Sequence, residues 1–361
     1  MGKPPQQETL HRVARQAVYR RQPTTGQRLG ISGISSAILG TFDSSPASSH
    51  FPVNRRGFVG GLAAATALGT LGCGKRSGGL RFSGIPDGDK RDLKVRYDAV
   101  AKYLAAAVGQ AVEYVHVPDY TAAVTALATR KIDFAWLGGV TTVQAEQRTP
   151  GGVHFIAARE SDLRFRSYLI ANAEVARSLS LPSRDQRTPQ DLDALAELAV
   201  SLRGRKFSFG AKSSTSGHIM PRAFLTDTKV GINPDTDFDG GPIYQLKGGH
   251  AATLRTVASG AVDFGVLNFA VWEAAAQALQ QSAPVVYVTP EYVDYCLVAH
   301  KGISDADAQR LRSAFTGLDT AVADQQEVLT AFSAKRFVEV DPAAWDGIRS
   351  VLAGLDASGA L

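Results

Sequence analysis

Residues 120–138 and 250–268 are two copies of one helix–turn–strand unit, and this repeat narrows the possible folds more than any other feature of the chain. At a constant offset of 130 residues, Ala122 matches Ala252, Ala128 matches Ala258, Asp133 matches Asp263, Phe134 matches Phe264 and Leu137 matches Leu267. Each copy reads as an Ala-rich helix, a tight turn and a buried strand. Each helix opens on a side chain that can hydrogen-bond, Tyr120 or His250. Two such units predict two similar α/β lobes with both helix N-termini facing one cleft. In open α/β sheets, ligands settle at the carboxyl ends of strands, beside helix N-termini. Asp133 and Asp263 stand in the turns before aromatic strand residues, where a structural role is expected. The competing explanation is chance, because Ala-rich helices match easily.

From Leu80 onward, short apolar runs alternate with amphipathic stretches, the pattern of open α/β sheets. Strands are predicted at 80–85, 112–117, 132–137, 154–157, 206–209, 243–246, 262–267 and 285–288. Helices are predicted at 92–108, 120–129, 218–226, 251–259 and 271–280, and the chain beyond Lys301 is mostly helical. The run Lys206-Phe207-Ser208-Phe209-Gly210 leads into Ser214-Thr215-Ser216-Gly217-His218. A strand that ends in three hydroxyl residues and enters a helix is a ready oxyanion receptor. The first helical N–H groups lack intrahelical partners, and the helix dipole adds positive charge there. The same residues would also serve as a plain N-cap with no ligand.

The N-terminus changes how the charge is read. Asn54-Arg55-Arg56-Gly57-Phe58-Val59 is a twin-arginine pattern, followed by a short Ala/Gly run and then Gly72-Cys73. That run is too short and too weakly apolar to span a membrane, so residues 53–73 read as an export signal. Thr70-Leu71-Gly72-Cys73 resembles a lipobox, with Thr70 where Leu is usual, and predicts lipidation of Cys73. Residues 1–52 have no periodic apolar pattern and are expected to be a disordered leader or to precede the true start at Val53. The chain carries a formal charge of +5, but residues 1–72 hold eight Lys/Arg and two Asp/Glu. The remainder has 31 basic and 32 acidic residues, so it offers no basic footprint for nucleic acid. With Cys73 used in processing, Cys296 is left without a partner, and a buried, inert thiol is expected.

Several motifs then carry a family resemblance. They are Ile85-Pro86-Asp87, Asp119-Tyr120-Thr121-Ala122-Ala123-Val124, Lys131-Ile132-Asp133-Phe134-Ala135-Trp136-Leu137-Gly138-Gly139, the run from Ser213 to Pro221, Gly249-His250-Ala251-Ala252-Thr253 and the run from Thr289 to Tyr295. The stretch from Arg81 to Gly302 is similar to the phosphate/phosphite/phosphonate class of ABC-transporter solute-binding proteins. The resemblance implies an α/β, type II periplasmic-binding fold. Residues 80–168 with 297–361 would form one lobe and 170–295 the other, joined by hinge strands at 167–171 and 295–299. It implies ligand contacts from Tyr120, Trp136, Gly138, Gly139, Ser214, Thr215, Ser216, His250, Asn268 and Asp294. It further implies a monomer without cofactor or metal, tethered only by lipid in the periplasm. That monomer would deliver a tetrahedral oxyanion or organophosphonate to a permease and its ATPase. Two departures stand out: Gly248-Gly249-His250-Ala251-Ala252 replaces a usual Gly-Ser-His-Asp-Ala, and Phe165 replaces a usual tyrosine. A subgroup labelled selenate-binding shares the Ser-Ser-Thr-Ser-Gly-His and Asp-Tyr pieces, so the anion stays open.

Single residues keep two readings. His250 would either stay neutral and donate one hydrogen bond, or bind a dianion as a cation. Asp294 would accept a hydrogen bond from a protonated ligand oxygen, or serve the hinge. Trp136 reads better as packing than as contact, because the backbone at Gly138-Gly139 can approach an anion more closely. An enzyme is not expected. Ser216-Gly217-His218 sits at a helix start where no nucleophile–base pair forms, the Gly-x-Ser-x-Gly elbow is missing, and the histidines lack metal-ligand spacing. A sensor module that presents its anion to a membrane kinase is the remaining alternative.

Overall fold

The computed structural model describes residues 78–87, 90–183 and 188–357. The segment read as an export signal, with Arg55, Arg56 and Cys73, lies outside the described residues. Eleven strands form two sheets among them. The first sheet holds β1 (Leu80–Gly84), β2 (Val112–Tyr114), β3 (Phe134–Leu137), β4 (Val153–Arg159), β10 (Cys296–His300) and β11 (Phe337–Val338). The second holds β5 (Ser167–Ala171), β6 (Phe207–Phe209), β7 (Ile243–Tyr244), β8 (Phe264–Asn268) and β9 (Val285–Val288).

The two sheets share one topology. In the first, β2, β1 and β3 are parallel neighbours and β10 runs antiparallel between β3 and β4. In the second, β7, β6 and β8 are parallel neighbours and β5 runs antiparallel between β8 and β9. The chain crosses between the sheets through residues 160–166 and again through 289–295. β5 and β10, the strands read as hinges from the sequence, begin directly after these crossings and lie inside their sheets.

The sequence repeat maps onto this symmetry. Its two copies are the helix Tyr120–Ala128 with β3, and the helix Gly249–Ala258 with β8. Both strands are buried on both faces, which requires the unbroken apolar runs that the parallel centre of a covered sheet carries. The paired turn aspartates do the same work. Asp133 accepts the Arg81 N–H at 2.9 Å, and Asp263 accepts the Lys206 N–H at 2.9 Å. Each carboxylate thereby ties the start of the neighbouring parallel strand to the repeat. The helix Lys90–Val108 buries Leu93, Tyr97, Val100, Leu104 and Val108, a helical spacing of one face, against the first sheet.

Two helices differ from expectation. The helix read at 271–280 is instead two short ones, Phe269–Glu273 and Gln277–Ser282. Asn268 caps the first by accepting the Ala270 N–H at 2.7 Å, and Gln280 Nε2 donates to the Trp272 carbonyl, closing the end that a continuing helix would have satisfied. The helix read at 218–226 starts earlier, as a wide turn over Thr215–Ile219, and continues regularly over Met220–Leu225. Cys296 is fully buried, and burial pushes its thiol pKa well up.

Candidate functional site

The two sheets meet at the turn that begins with Ser214. Its hydroxyl accepts the Gly217 N–H at 3.0 Å, and its carbonyl accepts both the His218 and Ile219 N–H groups. Wide turns of this kind recur at functional sites. The Thr215 and Ser216 N–H groups, first in the turn, have no acceptors inside it, as at any helix start. Gly217 is required by close approach. A Cβ there would stand 2.9 Å from Ser214 Oγ and 3.0 Å from His250 Cε1, so the imidazole packs directly on the turn.

His250 opens its helix from the second lobe. Its Nδ1 accepts the Asn268 N–H at 3.3 Å, so the neutral ring carries its proton on Nε2. Burial lowers its pKa to about 4, which keeps the ring neutral in the unliganded protein near neutral pH. That Nε2–H has no hydrogen-bond partner among the described residues. His218, by contrast, spends both nitrogens on its own lobe, Nδ1 on the Lys212 carbonyl and Nε2 on the Tyr244 hydroxyl.

The opposite wall comes from the first sheet. Tyr120, in the helix capped by Asp119, is buried and lies close to the Ser214 side chain. Beyond β3, the Gly139 N–H donates to Asp294 Oδ1 at 2.8 Å and the Val140 N–H donates to Thr215 Oγ1 at 2.9 Å. The Thr215 hydroxyl also lies close to the Asp294 side chain. Gly138 lies within the same cluster, since a Cβ there would be 3.3 Å from both Asp294 Oδ1 and Thr215 Oγ1.

Asp294 is 1% exposed and its Oδ2 has no hydrogen-bond partner among the described residues. Burial raises its pKa to about 7, and neighbouring Asp162 pushes the same way. The Gly139 N–H, Thr215 and Arg159 oppose the shift. The turn therefore gathers an unpartnered buried donor, His250 Nε2–H, and an unpartnered buried acceptor, Asp294 Oδ2. Unpaired buried polar atoms cost about 1–3 kcal/mol each, so the turn holds two groups that a polar ligand could satisfy.

The remaining residues support this frame. The Asn268 amide donates to the Tyr295 hydroxyl at 3.4 Å, and that hydroxyl donates to Asp87 Oδ2 at 3.3 Å, linking the two lobes behind the cradle. The Ser216 carbonyl accepts the Ser167 hydroxyl at 2.7 Å. Trp136 turns into the aromatic core, stacked on Tyr295 at 5.4 Å and edge-on to Phe332 and Phe337.

Comparison with known proteins follows the same lines. Residues 82–345 match the family model described as ABC transporter, phosphonate, periplasmic substrate-binding protein. The chain belongs to this family. A relative named "Probable ABC transporter phosphite binding protein PhnD1", from Prochlorococcus marinus, is 30% identical over 75% of this chain and 88% of its own. The "Phosphate-import protein PhnD" of Mycolicibacterium smegmatis is 28% identical over 52% of this chain and 54% of its own. The solved structure of Prochlorococcus marinus PhnD1 in complex with methylphosphonate superposes with a TM-score of 0.68. It covers 78% of this chain and 98% of that one, at 30% identity.

As a member of the family, the protein is the extracytoplasmic substrate-binding component of an ABC transporter, with the type II two-lobe fold. Its site includes residues that sequence reasoning passed over. Arg159 is buried over the Trp136 and Tyr295 rings at 5.2 Å and 4.9 Å, and its guanidinium pairs with Asp162 at 2.6 Å. Tyr292 contacts the Ser167 hydroxyl and Ser216. Asp87 and Tyr295 stood within the quoted motifs, so their presence was visible. Their roles depend on contacts 208 residues apart in sequence.

Proposed function

We propose that this protein captures a phosphonate, phosphite or phosphate through Tyr120, the turn Ser214-Thr215-Ser216, His250 and Asp294. The lobes, 80–168 with 297–361 and 170–295, then present it to a permease and its ATPase. The observation that carries this reading is the pairing of one free buried donor with one free buried acceptor beside the same turn. A monoprotonated tetrahedral oxyanion offers the complement, an anionic oxygen for His250 Nε2–H and a P–OH for Asp294. Asn268 holds the imidazole and Gly138-Gly139 holds the carboxylate, while Trp136 packs behind them.

Thermal-shift measurements on the full chain test the reading. A ligand at 100 times its dissociation constant adds about 2.7 kcal/mol of stability. Methylphosphonate, phosphite and phosphate should raise the melting temperature, while sulfate and selenate, which hold no proton near neutrality, should trail. No shift with any phosphorus oxyanion, or a larger shift with sulfate, would count against it. Closure about the crossings 160–166 and 289–295 should lower the radius of gyration in small-angle scattering at saturating ligand, and an unchanged value would speak for a rigid binder. We also read Arg55-Arg56 as directing twin-arginine export and Cys73 as the lipid attachment site.

A further inference from the structure

A cavity of about 450 Å³ opens beside the cradle, lined from both lobes. Three of its lining residues join it to the cradle. Tyr120 lies close to Ser214, Ser213 precedes that turn, and Gly249 precedes His250. The volume lies within the roughly 300–1,000 Å³ typical of small-molecule pockets, more room than a bare oxyanion needs.

The charge of the cavity is one-sided. Lys90 and His116 line it from the first lobe, and Lys212 and Lys247 from the second. Lys90 lies close enough to His116 to help depress the imidazole pKa, an effect led by desolvation. Asp119 is the single carboxylate among the described lining residues, and its side chain is committed to capping a helix through the Ala122 N–H at 2.7 Å. Lys90 and Lys247 form no ion pair with any described residue, and Lys212 stands over the Tyr244 ring at 5.0 Å. Cations gathered around a cleft without counter-charges repel one another and favour an anion entering between them.

Resting on the oxyanion reading above, we infer that this cavity receives the substituent of an organophosphonate or phosphate ester, and that its lysines select a substituent carrying a second anionic group. The phosphorus oxyanion sits in the cradle while the substituent extends past Tyr120 between Lys90 on one side and Lys212 and Lys247 on the other. Exposed charge pairs contribute modestly one at a time, so three together give about a tenfold preference.

Isothermal titration of the full chain with methylphosphonate, phosphonoacetate and 2-aminoethylphosphonate tests this. Phosphonoacetate should bind about tenfold more tightly than methylphosphonate and 2-aminoethylphosphonate more weakly, with the spread narrowing as salt is added. A Lys90→Gln, Lys212→Gln, Lys247→Gln variant should bring phosphonoacetate down to the affinity of methylphosphonate. Equal affinities for all three ligands, tighter binding of the aminoethyl compound, or an equal loss for every ligand in the triple variant would overturn the inference and leave the oxyanion reading standing. No binding of methylphosphonate itself would overturn both.

Discussion

The Thr215 hydroxyl of the second lobe accepts the Val140 N–H of the first at 2.9 Å. One side chain thereby joins the hydroxyl turn to the helix Gly139–Arg148 across the cleft, close to the Asp294 side chain. Thr215→Val keeps the shape and removes that bond and the hydroxyl beside Asp294. Hydrogen bonds to charged groups contribute about 1.5–3 kcal/mol, so methylphosphonate affinity should fall roughly ten- to a hundredfold by titration calorimetry. Thr215→Ser should restore most of it. Wild-type affinity in the valine variant would show that the turn is only a cap.

His250→Ala should weaken methylphosphonate by about tenfold, the worth of one donor to an anion. Its pKa of about 4 lies below the ordinary value of 6.5, so the native state resists protonation. The stability it lends is whole above pH 6.5 and is lost as pH falls toward 4. Urea midpoints should therefore drop less in His250→Ala than in the wild type between pH 6.5 and 4.5. Parallel pH profiles would contradict the buried neutral imidazole.

Asp294 acts in the opposite direction. Its folded pKa of about 7 lies above the ordinary 3.8, so the native state holds a proton that the unfolded chain has released. Its contribution is whole below pH 3.8 and is lost as pH rises to 7, by up to about 1.4 kcal/mol per pH unit. Asp294→Asn should gain on the wild type in denaturant melts as pH rises from 5 to 7, then level off. A pH-independent difference would place the ionised carboxylate, not the acid, in the unliganded site.

Gly139→Ala should destabilise the fold by about 1–3 kcal/mol, the usual cost of overpacking. The new Cβ would lie 2.3 Å from Ile348 Cδ1 and 3.2 Å from the Val293 carbonyl oxygen. The Ile348 side chain, or the helix Asp346–Ala357 that carries it, would have to move, and the Gly139 N–H would move off Asp294. Chemical denaturation should show the loss, and an unchanged midpoint would mean that the helix yields freely.

Replacing Arg55 and Arg56 by Lys should retain precursor in the cytoplasm, and Cys73→Ala should abolish metabolic labelling with a fatty acid. Normal export and labelling in both variants would remove the signal assignment.

Much of the fold was legible because its elements are set locally. The apolar runs at β3 and β8, the spacing of Leu93, Tyr97, Val100 and Leu104, and the caps at Asp119 and Ser214 lie within a few residues of what they shape. The break after Glu273 was not legible. It turns on Gln280 reaching back to the Trp272 carbonyl, a choice that helix periodicity does not express.

By itself, the amino-acid sequence determined two related α/β units, the hydroxyl turn and the residue types around it, since periodicity and capping act over one or two turns. Only the tertiary structure decided what those residues can do. The His250 tautomer follows from an N–H 18 residues away, and the Thr215 hydroxyl is committed to a donor 75 residues away. The unpaired states of His250 Nε2 and Asp294 Oδ2 follow from packing that shuts out water. Hydrogen-bond partners and local dielectric belong to the assembled lobes, so the chemistry of the cleft exists only once both are folded against each other.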